Sequence, residues 1–127
     1  MMSVTISKTT KTYPHHPYTK ICSDVLGKEY LLSLVFIGVK KAKKFNLKFR
    51  EKDYVPDVLS FPLDKTCGEI YMCLPKIKST HKMYNRSFQQ QVVFLFIHSL
   101  LHLKGYEHGE EMEFLEAKFA KKYMYDV

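Results

Sequence analysis

The sequence lacks a hydrophobic run long enough to cross a bilayer. Its longest apolar stretches, residues 92–97 and residues 31–39 with Ser33 and Gly38 inside, fall well short of the ~18 residues a span needs. The opening MMSVTISKTTK has no apolar core of the kind a signal peptide carries. Both absences point to a cytoplasmic protein that engages no membrane. Cysteine is also scarce: Cys22, Cys67 and Cys73 form no CxxC, which excludes a disulfide framework and a cysteine-only zinc ribbon. These thiols are expected to be reduced and partly buried. No internal repeat, low-complexity tract or Pro/Gly/Ser-rich linker interrupts the chain, and five prolines and five glycines are scattered as turn punctuation. With 127 residues, 46% hydrophobic and 14% aromatic, a single domain over residues 1–127 is expected.

Acidic residues are outnumbered as well. Twenty Lys and Arg against thirteen Asp and Glu leave a formal net charge of +7, which favours a polyanionic partner such as nucleic acid, with solubility as the bland alternative. The distribution is uneven. Lys40, Lys41, Lys43, Lys44, Lys48, Arg50 and Lys52 fall within 13 residues, whereas residues 107–116 hold five glutamates. One side of the molecule should be basic and another acidic.

Ser87-x-x-Gln90 reads as a capping box, in which the two side chains satisfy free amides at a helix start. The helix should run to about Lys104 and end at Gly105, the residue type that tolerates a left-handed terminus. Being apolar nearly all round, it should be the central buried helix. YLLSLVFIG, DVLSFP and GEIYMCL read as strands, with VTIS near the N-terminus as a weaker fourth. Residues 40–50 read as a helix with a partial apolar face of Ala42, Phe45, Leu47 and Phe49. Residues 110–123 read as a last helix with Met112, Leu115, Phe119 and Tyr123 on one stripe, glutamates early and lysines late as the helix dipole prefers.

HSLLHLKGYEH, residues 98–108, places histidines at offsets 0, 4 and 10. At about 100° per residue, His98 and His102 leave the same face of a helix, and a reversal at Gly105 lets His108 swing back toward them. With six histidines in the chain, this triple arises by chance on the order of once per hundred sequences. Three neutral imidazoles suit zinc and leave one of about four positions open, the hallmark of a catalytic rather than a structural site. One Zn²⁺ per chain on His98, His102 and His108 is therefore expected, and His15, His16 and His81 are read as ordinary loop or surface residues. Metzincin proteases share the HxxxHxxGxxH spacing, but there a glutamate after the first histidine acts as base. Here that residue is Ser99, which has no charge to draw a proton from water, so peptidase chemistry is disfavoured.

These residues resemble the bacterial YbeY family. Its HGxLHLxGYDH motif matches residues 98–108 apart from Ser99 for Gly and Glu107 for Asp, and neither departure touches a ligand. Its LNxxYRxxDxPTDVLSFP block resembles FNLKFREKDYVPDVLSFP at residues 45–62, with Val55 and Pro56 in place of Pro and Thr. Its LGDI strand corresponds to Cys67-Gly68-Glu69-Ile70. The resemblance runs in register from residue 45 to the C-terminus, and the earlier elements agree in pattern.

The resemblance implies an α/β (α+β) fold, a mixed sheet of about four strands packed with about five helices, and a zinc site on the central helix. It also implies a zinc-dependent, single-strand-specific endoribonuclease acting in rRNA processing, small ribosomal subunit assembly and late-stage ribosome quality control. RNA, the small subunit and its assembly factors are the expected partners, and a monomer is the expected state. Arg50 is implied as the functional arginine, suited to gripping a phosphate through two hydrogen bonds. Its alternative is a salt bridge to Asp53 or Asp57. Lys43, Lys44 and Lys48 are expected to draw in the RNA backbone. Glu69 either orients a zinc histidine or is an exposed strand carboxylate, while Asp57 and Ser60 are expected to be structural. The rival to the nuclease is a non-catalytic, zinc-stabilised ribosome assembly factor.

Overall fold

Burial alternates along residues 31–37 and 67–73, where Leu32, Leu34, Phe36, Gly68, Ile70 and Met72 are buried, because successive side chains leave opposite faces of a strand. A computed structural model describes residues 4–8 and 12–124. Strands β1 (Val4–Lys8), β2 (Leu31–Ile37), β3 (Val58–Asp64) and β4 (Cys67–Cys73) form one sheet in the order β1-β2-β4-β3. β1 runs parallel to β2 and β2 parallel to β4, whereas β3 is antiparallel to β4, so the sheet is mixed. Helices α1 (Tyr18–Leu26), α2 (Val39–Arg50), α3 (Leu74–Thr80), α4 (Phe88–Lys104) and α5 (Glu110–Tyr123) complete the α+β arrangement expected from the sequence. Among the described residues, no helix is long and apolar enough to cross a membrane.

Leu32, Leu34, Phe36, Ile70 and Met72 point to one face and pack in a single buried cluster with Ile21 and Val25 of α1, the body of α4 and Met112 of α5. Each such fully buried side chain contributes roughly 1.5–3 kcal/mol. The opposite face is covered by α2, where Ala42 and Phe45 meet Ile37, Cys73, Val35 and Tyr71. Cys22 and Cys73 are buried and all three thiols are free. Burial pushes the Cys22 thiol up to about 11, so it stays protonated near neutral pH.

α4 has the limits its signals predicted. The Gln90 amide donates to Ser87 Oγ at 3.1 Å, and the Ser87 amide donates to Gln90 Oε1 at 3.0 Å. At the other end Gly105 adopts φ 110°, its amide donating to the His102 carbonyl and the Tyr106 amide to that of Leu101. That pairing is a Schellman terminus, which turns the chain sharply.

Two helices were not foreseen as segments. α1 follows Pro17 and has no side-chain cap, so no local signal marks its start. α3 begins at Leu74, which the sequence assigns to the end of a strand, and Pro75 sits in its first turn, where a missing amide costs nothing. The apolar face of α2 also differs from expectation: Leu47 and Phe49 are 52% and 56% exposed, and the buried positions are Ala42 and Asn46. Asn46 Nδ2 donates to the Tyr54 carbonyl at 3.0 Å, which ties the loop leading to β3 back onto the helix. Glu51 caps the helix in the left-handed conformation at φ 57°.

Candidate metal centre and its cleft

The Schellman turn carries His108 back beside the face of α4 that bears His98 and His102. Ring centroids are 4.6 Å apart for His98 and His102, 5.2 Å for His98 and His108, and 5.0 Å for His102 and His108. One ligating nitrogen from each ring lies within 4.8 Å of the others. Among the described residues, this is the group of metal-ligating side chains close enough to share an ion, and His15, His16 and His81 lie outside it.

The hydrogen bonds set the tautomers. His98 Nδ1 is 2.5 Å from Glu116 Oε2, and His102 Nδ1 is 3.1 Å from the Tyr106 carbonyl. A carboxylate and a carbonyl only accept, so both Nδ1 atoms carry hydrogen and donate. Each neutral ring then presents a bare lone pair at Nε2, and these two Nε2 atoms face one another at 3.1 Å. Lone pairs so close repel unless a shared proton or a metal ion lies between them. Two ligands of a tetrahedral zinc, each ~2.0–2.1 Å from it, would stand roughly 3.3 Å apart. The donor set therefore fits a metal ion of that kind. Burial, then the proximity of the His98 imidazole, pulls the pKa of His102 down, which favours the neutral form that can ligate a metal.

Glu116 is the carboxylate that orients His98, from a site where the two side chains are 18% and 12% exposed. His98 and His102 take their Nδ1 partners from Glu116 and Tyr106 rather than from Glu69, which lies on β4 beside Tyr71, where burial and then the Glu69 charge push the phenol pKa up. A signal for Glu116 existed. It sits four residues after buried Met112, inside the stripe that α5 turns toward the core.

The three histidines line a cleft of about 940 Å³ whose walls include Arg50, Asp57, Ser60 and Arg86. The end of α2 and the loop pinned by Asn46 deliver Arg50 to this cleft. No ion pair of Arg50 exists among the described residues, and Asp53 is instead 3.7 Å from Lys43. Lys43, Lys44 and Lys48 are exposed on α2, and none of them lines the cleft. Ser99 is 1% exposed at the cleft wall, next in sequence to His98. A separate depression of about 800 Å³ between β1, α1 and the end of α5 contains none of the three histidines.

Sequence reasoning missed Arg86 and Tyr84. The guanidinium carbon of Arg86 is 3.7 Å from the Phe94 ring centroid, its Nη1 donates to Gln91 Oε1 at 3.0 Å, and Phe94 in turn stacks on His98. His81 is a structural residue: its Nδ1 is 2.8 Å from the Arg86 carbonyl and fixes the loop before α4.

The family model described as "Endoribonuclease YbeY" matches residues 4–125. The chain belongs to the YbeY family. Similar curated proteins include an endoribonuclease YbeY of Finegoldia magna, 38% identical over 91 residues that make up 66% of this chain and 60% of that one. Another, from Alkaliphilus metalliredigens, is 38% identical over 71% of this chain and 65% of its own length. A third, from Phytoplasma mali, is 40% identical over 72% of this chain and 67% of its own. The matched part thus spans about 60–65% of the length of the first two YbeY relatives. The solution structure of the Thermotoga maritima protein TM1509 shares the fold, with a TM-score of 0.64, 24% identity, and coverage of 94% of this chain and 87% of that one.

Proposed function

We propose that this chain is a metal-dependent endoribonuclease that cuts single-stranded RNA, with one Zn²⁺ per chain held by His98, His102 and His108. The observation that carries the reading is the convergence of three imidazoles on one point in a cleft that also holds an arginine without an ion pair, in a member of the YbeY family. Zinc bound there would supply an activated water at neutral pH and polarise a phosphoryl oxygen.

The chain's own residues do the rest. Glu116 and the Tyr106 carbonyl hold the rings of His98 and His102 so that their Nε2 atoms converge. Arg50 grips the scissile phosphate, its planar fork giving two parallel hydrogen bonds that a point charge cannot reproduce. Lys43, Lys44 and Lys48, exposed on α2, attract the RNA backbone by displacing its condensed counterions. Ser99 in place of the metzincin glutamate leaves no carboxylate beside His98 in sequence, which argues against peptide hydrolysis. The cellular setting we infer is cytoplasmic: rRNA processing, small-subunit assembly and late-stage ribosome quality control, performed by a monomer.

The test is turnover by metal-loaded wild type and His108→Ala, purified in parallel and given one single-stranded rRNA fragment and its duplex. Wild type should cut the single strand and the variant should not. Equal turnover would mean contamination, and no turnover by the wild type would leave the non-catalytic assembly factor as the better account.

A further inference from the structure

The cleft contains a second arginine that the proposed chemistry does not use. Arg86 precedes α4 and reaches along it, so that a single ring, Phe94, separates its guanidinium from His98. Several contacts hold it in place. One guanidinium face lies on Phe94 at 3.7 Å, Nη1 donates to the buried Gln91, and the Arg86 carbonyl is held by His81. Asn85, left-handed at φ 58°, closes the short 3-10 helix His81–Tyr84 and starts the turn that sends the side chain into the cleft.

This charge is not spent on the fold. Among the described residues, Arg86 makes no ion pair, and its one hydrogen-bond acceptor is a neutral amide. Glu116, whose negative charge acts on Arg86, is itself bound to His98. A guanidinium has five N–H donors in a rigid fork, so the remaining ones are available to a cleft occupant. Desolvation lowers the pKa of Arg86, yet an arginine so placed stays charged at any pH near neutrality. A half-buried, pre-positioned cation whose nearby carboxylate, Glu116, is engaged with His98 attracts an anion, and stacking on Phe94 reduces the entropy lost when it does so.

We propose that Arg86 is a second phosphate-binding residue, which holds a phosphodiester of the RNA strand next to the one gripped by Arg50. The two arginines reach one cleft from different elements, Arg50 from the end of α2 and Arg86 from the start of α4, and the histidine cluster shares that cleft with both. A strand held at two successive phosphates is fixed in direction as well as position. Tyr84, 52% exposed and lining the same wall, offers an aromatic surface beside this second phosphate. The assignment rests on the ribonuclease reading, but its test reads binding rather than cleavage.

The probe is a fluorescein-labelled, 2′-O-methyl single-stranded RNA added to metal-loaded protein, with binding followed by anisotropy across a salt series and the probe's integrity checked on a gel. Arg86→Ala should bind about tenfold more weakly or worse, the scale of a lost charge-assisted hydrogen bond. Its salt slope should fall by about 0.7, the value for one phosphate contact on a single strand. Arg86→Lys should keep the wild-type slope and recover part of the affinity. Unchanged affinity and slope in Arg86→Ala, with a lowered melting temperature, would show a loop staple and overturn the proposal. Failure of the two readings is distinguishable: a wild type that binds the probe through Arg86 but cuts no RNA defeats the nuclease alone. A wild type with His108-dependent cleavage and an Arg86→Ala variant equal to it in binding defeats Arg86 alone.

Discussion

Replacing Glu116 with glutamine alters one contact in the candidate metal centre. His98 Nδ1 and Glu116 Oε2 are 2.5 Å apart in a largely solvent-excluded position. A hydrogen bond to a charged acceptor contributes roughly 1.5–3 kcal/mol. The glutamine carbonyl still accepts but carries no charge, so about half of that strength is lost. At 1.4 kcal/mol per decade this is about tenfold in metal affinity, the lower edge of the 10–100-fold range for partners that orient a ligand. Glu116→Ala removes the acceptor and frees the imidazole to change tautomer, so about 100-fold is expected. Competition against a chromophoric chelator measures both affinities directly, and paired melts of metal-free and metal-loaded protein check them. With free metal at 100 times the wild-type Kd, binding stabilises the fold by ~2.7 kcal/mol, and a tenfold weaker site gives ~1.4. The metal-induced rise in Tm should therefore shrink by roughly 3–5 °C in Glu116→Gln, whatever the substitution does to the metal-free protein. Equal metal affinity in wild type, Glu116→Gln and Glu116→Ala would refute the claim that Glu116 orients His98.

Arg50→Ala should keep metal content and Tm, because Arg50 makes no ion pair among the described residues, yet lose about 10²-fold in RNA cleavage. Arg50→Lys should rescue it partly, and a fully active alanine variant would remove Arg50 from the mechanism. Reversing the charges of Lys43, Lys44 and Lys48 together should flatten the salt dependence of RNA binding, and an unchanged slope would move the RNA surface away from α2. Asp24 accepts from Lys122 Nζ and Tyr123 Oη, each at 2.7 Å, and these contacts hold its carboxyl below the usual range. A depressed carboxyl stabilises the fold above its unfolded pKa of ~3.9 and loses that effect as pH falls through the folded value. Asp24→Asn should thus lower Tm slightly at pH 7 and less near pH 2, and an equal drop at both would contradict the linkage.

The local signals in the sequence determined the elements that carry their own punctuation. Ser87 and Gln90 start α4 and Gly105 ends it, because capping and a left-handed terminus are decided by residues within a turn of each other. The four strands follow from runs of branched and aromatic residues bounded by Pro, Gly and charge, and the i, i+4 spacing alone puts His98 and His102 on one face. α1 was not legible because Pro17 offers no cap, and Leu47 and Phe49 misled because hydrophobic residues at a helix end need not face the sheet. Contacts between distant segments have no local signature. Only the packing of α5 on α4 brings Glu116 to His98, eighteen positions away, and only the Asn46 bond to Tyr54 returns the chain so that Arg50 enters the cleft of α4. Arg86 was passed over for the same reason: its role depends on Phe94, Gln91 and His81 meeting around it, and that meeting is a property of the folded core, not of any stretch of sequence.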